Sequence, residues 1–182
     1  MTMLKTVWTK QGKAVMQQLE SKGIYTAKRE RIINILGEEA PFFIPAYEWL
    51  NESAKKYHAT PQNVGFPIWV SCARESIMLP DQHTVILEIE LPEEEMIYID
   101  MILWSKILNC AYLPSDERDA LVHQQLLKDY NIDNVQAVTT SFYPIIKRKI
   151  IESWQRLFLS KGDERVAIIW EVRQEWVKQI RQ

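Results

Sequence analysis

From Thr84 to Leu91 the chain alternates without a fault. Val85, Leu87, Ile89 and Leu91 fall on one side, and Thr84, Ile86, Glu88 and Glu90 on the other. That is the period of a strand with one fully apolar face. Pro92 ends the ladder because it has no N–H to donate. Glu93, Glu94 and Glu95 make a solvated acidic turn, and Met96 to Ile99 resume an extended run. Asp100 suits the N-cap of a short helix through Trp104 to Asn109, since its carboxylate accepts the orphan N–H groups of a first turn.

The other segments are placed around this stretch. Leu4 to Thr9 predicts a first strand with Leu4, Thr6 and Trp8 on one face; Thr9 would cap a helix over Gln11 to Lys22, and Gly23 would close it. Ile24 to Gly37 is ambiguous between helix and strand. Pro41 to Pro45 predicts a stiff apolar connection. Ala46 to His58 predicts a helix with Tyr47, Leu50, Ala54 and Tyr57 as its stripe, and Thr60, Pro61 and Gly65 punctuate the loop after it. Phe66 to Cys72 predicts a strand, with Pro67 at its start or on a sheet edge, and Arg74 stands just beyond its end. Ser115 is placed to cap a helix with Asp116 and Glu117 in its first turn and Leu121 and Leu127 buried. Asn131 to Thr140 reads as irregular. Pro144 opens a helix through Phe158, with Ile146, Ile150, Trp154 and Phe158 four apart. Gly162 separates that helix from a strand ending at Arg173, and Trp176, Val177 and Ile180 finish the chain as helix or strand. The fold class predicted is α+β: one domain over residues 1–182, a small mixed or antiparallel sheet packed by about four or five helices.

Composition narrows the function classes. The 182 residues carry a formal charge of −2, so nothing draws the whole molecule to nucleic acid or to an anionic membrane. No apolar run approaches the roughly 20 residues of a membrane span, and the N-terminus lacks a secretory core. Cys72 and Cys110, without an export signal, are expected to stay reduced. A cytoplasmic location follows as the expectation. His58, His83 and His123 have no metal-ligand spacing, no cysteine pair forms a C-x-x-C, and no metal or cofactor is called for. Nucleophile elbows and glycine-rich phosphate loops are missing from the sequence.

What remains is an unusual supply of indoles and a few well-placed polar groups. The seven tryptophans include Trp8, Trp69 and Trp104, candidates for the flat walls of a cavity. Gln11, Arg74, Asp100 and Arg173 are candidates for its polar contacts. An arginine beside an indole stacks on a base and forks to phosphate or carboxylate; the structural alternative is a pair with an acidic neighbour, Glu75 for Arg74 or Glu171 for Arg173. Glu88 and Glu90 share a strand face and are the candidate acids if the protein is an enzyme, or solvated residues of an edge if it is not.

Trp8-Thr9-x-Gln11, Gly65-Phe66-Pro67-Ile68-Trp69, Arg74, the L-E-x-E-x-P run at Leu87–Pro92, Asp100 with Trp104 and Asn109, Ser153-Trp154 and Trp170-Glu171-Val172-Arg173 together resemble the DUF3841 family, a domain of unknown function found in bacteria, archaea and their mobile elements. The resemblance runs nearly end to end. The chain departs from the pattern at Ile99-Asp100, where a Ser–Asp pair is usual, in the short spacing from Trp69 to Arg74, and at Val166. A weaker architectural similarity is to ADP-ribosyltransferase-like domains, which hold NAD in a split sheet. The function expected is binding of a nucleotide-like or NAD-derived small molecule, for instance to sequester a nucleotide signal. The alternatives are a nucleotide-modifying enzyme of the ADP-ribosyl-transfer type and a protein-interaction module.

Overall fold

The alternating stretch lies inside an antiparallel sheet. The computed structural model describes residues 3–57, 65–159 and 165–182. His58, Thr60, Pro61 and Gly162, placed above at a helix end, a loop and a separator, lie outside the described residues. Strand β1 (Leu4–Gly12) runs into helix α1 (Ala14–Lys22), the short strand β2 (Ile24–Tyr25), α2 (Arg29–Leu36) and α3 (Ala40–Ala54). Then come β3 (Ile68–Ser71), β4 (Thr84–Pro92), β5 (Ile97–Tyr98), α4 (Met101–Leu108), α5 (Glu117–Tyr130), α6 (Asn134–Thr139), α7 (Pro144–Ser153), β6 (Val166–Ile169), β7 (Val172–Arg173) and β8 (Val177–Arg181). Six strands pair in the order β5-β6-β3-β1-β4-β8, and β2 and β7 form a separate ribbon. Every pairing is antiparallel. The class is α+β.

The chain divides into two units, Met1–Ile99 with Asp163–Gln182, and Asp100–Gly162. In the first, Val85, Leu87, Ile89 and Leu91 are all 0% exposed, so one face of β4 is core along its whole length. Val7, Val15, Leu19, Tyr25, Phe66 and Trp176 are among the residues that join them in that cluster. Burying each such aliphatic side chain contributes about 1.5–3 kcal/mol, and the four on β4 are what fixes its register against β1. The opposite face carries Ile86, Glu88 and Glu90. Because β4 lies between β1 and β8, these acids are not on a sheet edge.

Several local expectations are corrected. Thr9 caps nothing: the strand continues to Gly12, and the Thr9 side chain donates to the Trp69 carbonyl at 2.8 Å. Pro41 to Pro45 belong to α3, with Pro41 in the first turn where a missing N–H costs nothing. The helix ends at Ala54, leaving Tyr57 half-exposed. Ile24 to Gly37 splits into β2 and α2. Gly23 does terminate α1, at φ 70° with its N–H on the Leu19 carbonyl.

In the second unit Asp100 caps α4, its carboxylate accepting from the N–H groups of Ile102 and Leu103 at 2.9 and 3.1 Å. Asp116, not Ser115, caps α5, accepting from Asp119 N–H at 2.8 Å. Leu121 is exposed, and the residue α5 buries is His123. Asn131 to Thr140 is not irregular: Asp133 and Gln136 form a capping box that starts α6. The last helix tightens after Ser153 into a 3-10 turn, Trp154–Phe158. The Trp154 indole donates to the Ala111 carbonyl at 2.8 Å, and Ser153 Oγ accepts from Leu113 N–H at 3.0 Å while donating to the Ile150 carbonyl at 2.6 Å.

Candidate ligand-binding cleft

The outer face of β1, β4 and β8 carries a cavity of about 500 Å³, lined by Trp8, Arg74, Glu75, Ile77, Leu79, Pro80, Ile86 and Arg181. Its floor is the sheet. Trp8 stands opposite Glu88, and Ile86 opposite Arg181, in the β1–β4 and β4–β8 registers, so these side chains share the face away from the core. Its wall is the segment after β3. There the Ser71 hydroxyl donates to the Ala73 carbonyl at 2.6 Å and accepts the Ala73 N–H at 3.2 Å, which turns the chain off the strand into the 3-10 turn Arg74–Ser76. Lys10, reaching up from β1, pins the far end of the wall. Its ammonium donates to the Leu79 carbonyl at 2.9 Å and pairs with Asp81 at 3.1 Å. Asp81 also accepts the His83 N–H at 2.9 Å. The His83 N–H, and then Lys10, hold the Asp81 carboxyl down at about 2, so this strut is anionic at every physiological pH.

Two guanidinium groups and the Glu75 carboxylate line the cavity, and Glu88 lies beside it. Arg74 is exposed, and among the described residues no hydrogen bond or ion pair engages its side chain. The pair with Glu75 left open by the sequence is not formed. Arg181 Nη2 lies 3.9 Å from Glu88 and donates to Gln179 at 3.2 Å. Glu88 also accepts the Trp8 indole N–H at 3.0 Å. One carboxylate thus fixes the angle of the indole and draws Arg181 toward the same place. Glu90, by contrast, is taken by Lys178 at 3.0 Å.

Of the residues singled out from the sequence, the structure brings Trp8 and Arg74 to one cavity, with Glu88 behind the indole. The others go elsewhere. Gln11 lies on the core side of β1, where its amide donates to Thr9 at 2.9 Å and accepts from the Tyr25 hydroxyl at 3.2 Å; Arg31 in turn donates to that hydroxyl at 3.2 Å. Burial pushes the Tyr25 phenol up, against the opposing charge of Arg31. Trp69 is half-buried in β3 and does not line the cleft. Arg173 is the structural pair the sequence left open: its Nε donates to Glu171 at 2.6 Å, which raises its pKa, and its guanidinium stacks over Trp176 at 4.8 Å from the ring centre. It lines another cavity, with Gly23, Ile24, Gln174 and Glu175. Asp100 and Trp104 belong to the second unit, where Asp100 is a helix cap and Trp104 is buried. Among the described residues no three of His, Cys, Asp and Glu come together to hold a metal ion, and no helix is long and apolar enough to cross a membrane.

Arg181 and the apolar lining were missed from the sequence. Arg181 alternates with Gln179 on the last strand, which puts both on one face, but the register that carries this face to Trp8 is set by pairing to β4 and is not written in the local pattern.

The family model for DUF3841, a domain of unknown function, matches residues 6–178. The chain belongs to the DUF3841 family. In this DUF3841 domain the Trp8-Thr9-x-Gln11 mark is split by the strand period, Trp8 facing the cleft while Thr9 and Gln11 enter the polar network on the core side. Arg74 lies within the matched stretch, and Arg181 lies just past its end. Comparison of this DUF3841 chain with curated proteins and with solved structures returns no match, so the architectural likeness to ADP-ribosyltransferases gains no support.

Proposed function

We propose that this domain binds a small nucleotide-like molecule in the cleft on the outer face of β1, β4 and β8. One observation carries the proposal. An indole from the first strand and an unpaired arginine from the loop after β3, remote in sequence, line one cavity together with a second arginine from the last strand. Such a site offers a flat apolar wall for a base and planar forks of donors for an anionic group. The apolar lining of Ile77, Leu79, Pro80 and Ile86 with few polar groups is the composition of a small-molecule site. Binding without turnover would suit sequestering of a nucleotide signal. The enzyme alternative draws less from the geometry, because Glu90 is held by Lys178 and Glu88 is occupied by Trp8 and Arg181.

Calorimetric titration of nucleotides and NAD-derived compounds into the wild type and Arg74→Ala, alongside their melting curves, tests the proposal. The expected result is binding that Arg74→Ala weakens at least tenfold while the melting temperature holds. An Arg74→Ala protein that binds as well as the wild type removes the cleft from consideration.

A further inference from the structure

Resting on that binding cleft, we infer its ligand class: a single nucleoside carrying a terminal phosphate monoester, with the phosphate shared between Arg74 and Arg181 and the base against Trp8.

The number of flat walls decides against a dinucleotide. A dinucleotide presents two ring systems, each of which gains from its own stacking surface. Of the three indoles offered by the sequence, Trp8 is the one that lines this cavity, and its other lining residues are aliphatic or charged. One wall serves one base. At about 500 Å³ the cavity also sits in the lower part of the range of roughly 300–1,000 Å³ typical of small-molecule sites.

The charges decide for a terminal phosphate over a neutral nucleoside or a diester. Arg74 has no partner among the described residues and keeps all its donors for a ligand. Arg181 donates to Gln179 at 3.2 Å from one terminal nitrogen, which also lies 3.9 Å from Glu88, and its other donors are open to a ligand. Two guanidiniums facing one cavity match a dianion whose three terminal oxygens accept from both forks. A diester, with one charge and two free oxygens, leaves one fork underused. Glu75, also on the lining, adds a carboxylate that accepts from ring or amino N–H groups and does not favour the phosphate. Glu88 completes the arrangement as a positioning residue: by taking the Trp8 indole N–H at 3.0 Å it locks the ring that the base must meet.

The test is one calorimetric series on the full chain with the four common nucleoside 5′-monophosphates, their nucleosides, NAD and inorganic phosphate. At least one monophosphate is expected to bind at least tenfold more tightly than its own nucleoside, than NAD and than inorganic phosphate. Arg74→Ala and Arg181→Ala should each weaken that monophosphate at least tenfold and leave nucleoside affinity within about twofold. Should either variant lose its native near-ultraviolet dichroism, Arg74→Gln or Arg181→Gln replaces it. NAD binding more tightly than every monophosphate, with the loss on Arg74→Ala retained, overturns the ligand class and leaves the cleft standing. A nucleoside binding as tightly as its monophosphate overturns the shared-phosphate contact in the same way. If no compound binds, the cleft itself fails and the inference with it.

Discussion

Replacing Leu87 by alanine strikes the centre of the sheet. Leu87 is 0% exposed, faces Thr9 across β1 and Ile180 across β8, and is flanked on its own strand by Val85 and Ile89, also 0% exposed. Truncation removes buried methyl groups and leaves a cavity among the core side chains, based on a strand hydrogen-bonded on both sides that cannot move in to fill it. Leucine-to-alanine changes in cores cost about 2–5 kcal/mol, with the cost rising as the cavity stays open; a site this constrained belongs at or above the middle, about 3–4 kcal/mol. Urea denaturation slopes of roughly 1–3 kcal/mol per molar turn that into a midpoint lowered by about 1–4 M. Equilibrium urea unfolding followed by fluorescence checks it, with Ile180→Ala on the edge strand, 37% exposed, as the mild control. A midpoint shift under about 0.3 M for Leu87→Ala would refute the packing argument, since it would mean that this face of β4 meets water.

Three further outcomes are expected. His123, 3% exposed, has Nε2 at 2.7 Å from the Asn134 side-chain oxygen, which makes Nε2 the protonated nitrogen and leaves buried Nδ1 without a partner. Burial therefore pushes its pKa down, opposed by the Asn134 bond and helped by Lys149. A group neutral in the fold and of ordinary pKa, about 6.5, when unfolded contributes stability that is present above that value and lost as pH falls toward the depressed one. Urea midpoints should drop between pH 7.5 and 5.5, and His123→Gln should flatten that drop; an unchanged slope would assign it to other groups. Arg74→Ala, an exposed and unpartnered side chain, should change unfolding free energy by no more than about 0.5 kcal/mol, and a larger loss in urea would reveal a structural role. A strong chelator should leave the melting temperature unmoved, and a fall of many degrees on adding it would show a metal that the histidines and cysteines do not explain.

The central strand was legible because an unbroken two-residue period has only one physical solution. Gly23 and Asp100 were legible for a similar reason, as each satisfies orphan helix-end groups by local chemistry. Thr9 misled because a hydroxyl before a helical pattern looks like a cap; the long-range bond to the Trp69 carbonyl outbid it. Asn131 to Thr140 looked irregular because α6 is short and held by its capping box more than by an apolar stripe. The leucine pattern of α5 points Leu121 inward, whereas the buried position is taken by a histidine bonded through Nε2 to Asn134 and stacked on Tyr112 at 4.0 Å. The same division holds at the cleft. Trp8 and Arg74 could be named from residue type and from their places on a strand and just past one. Gln11 could have been separated from Trp8 by parity alone, since an odd offset on a strand points the other way. Arg181 could not be found, because only the β4–β8 register carries it to the indole.

The most direct measurement of the central claim is a crystal structure of the protein grown with the monophosphate that binds best by calorimetry. Phosphate density within hydrogen-bond distance of both Arg74 and Arg181, with the base lying on the Trp8 ring, is the predicted result. Clear density for the nucleotide at any other place, with the Trp8–Arg74–Arg181 cleft left to solvent, would contradict the account.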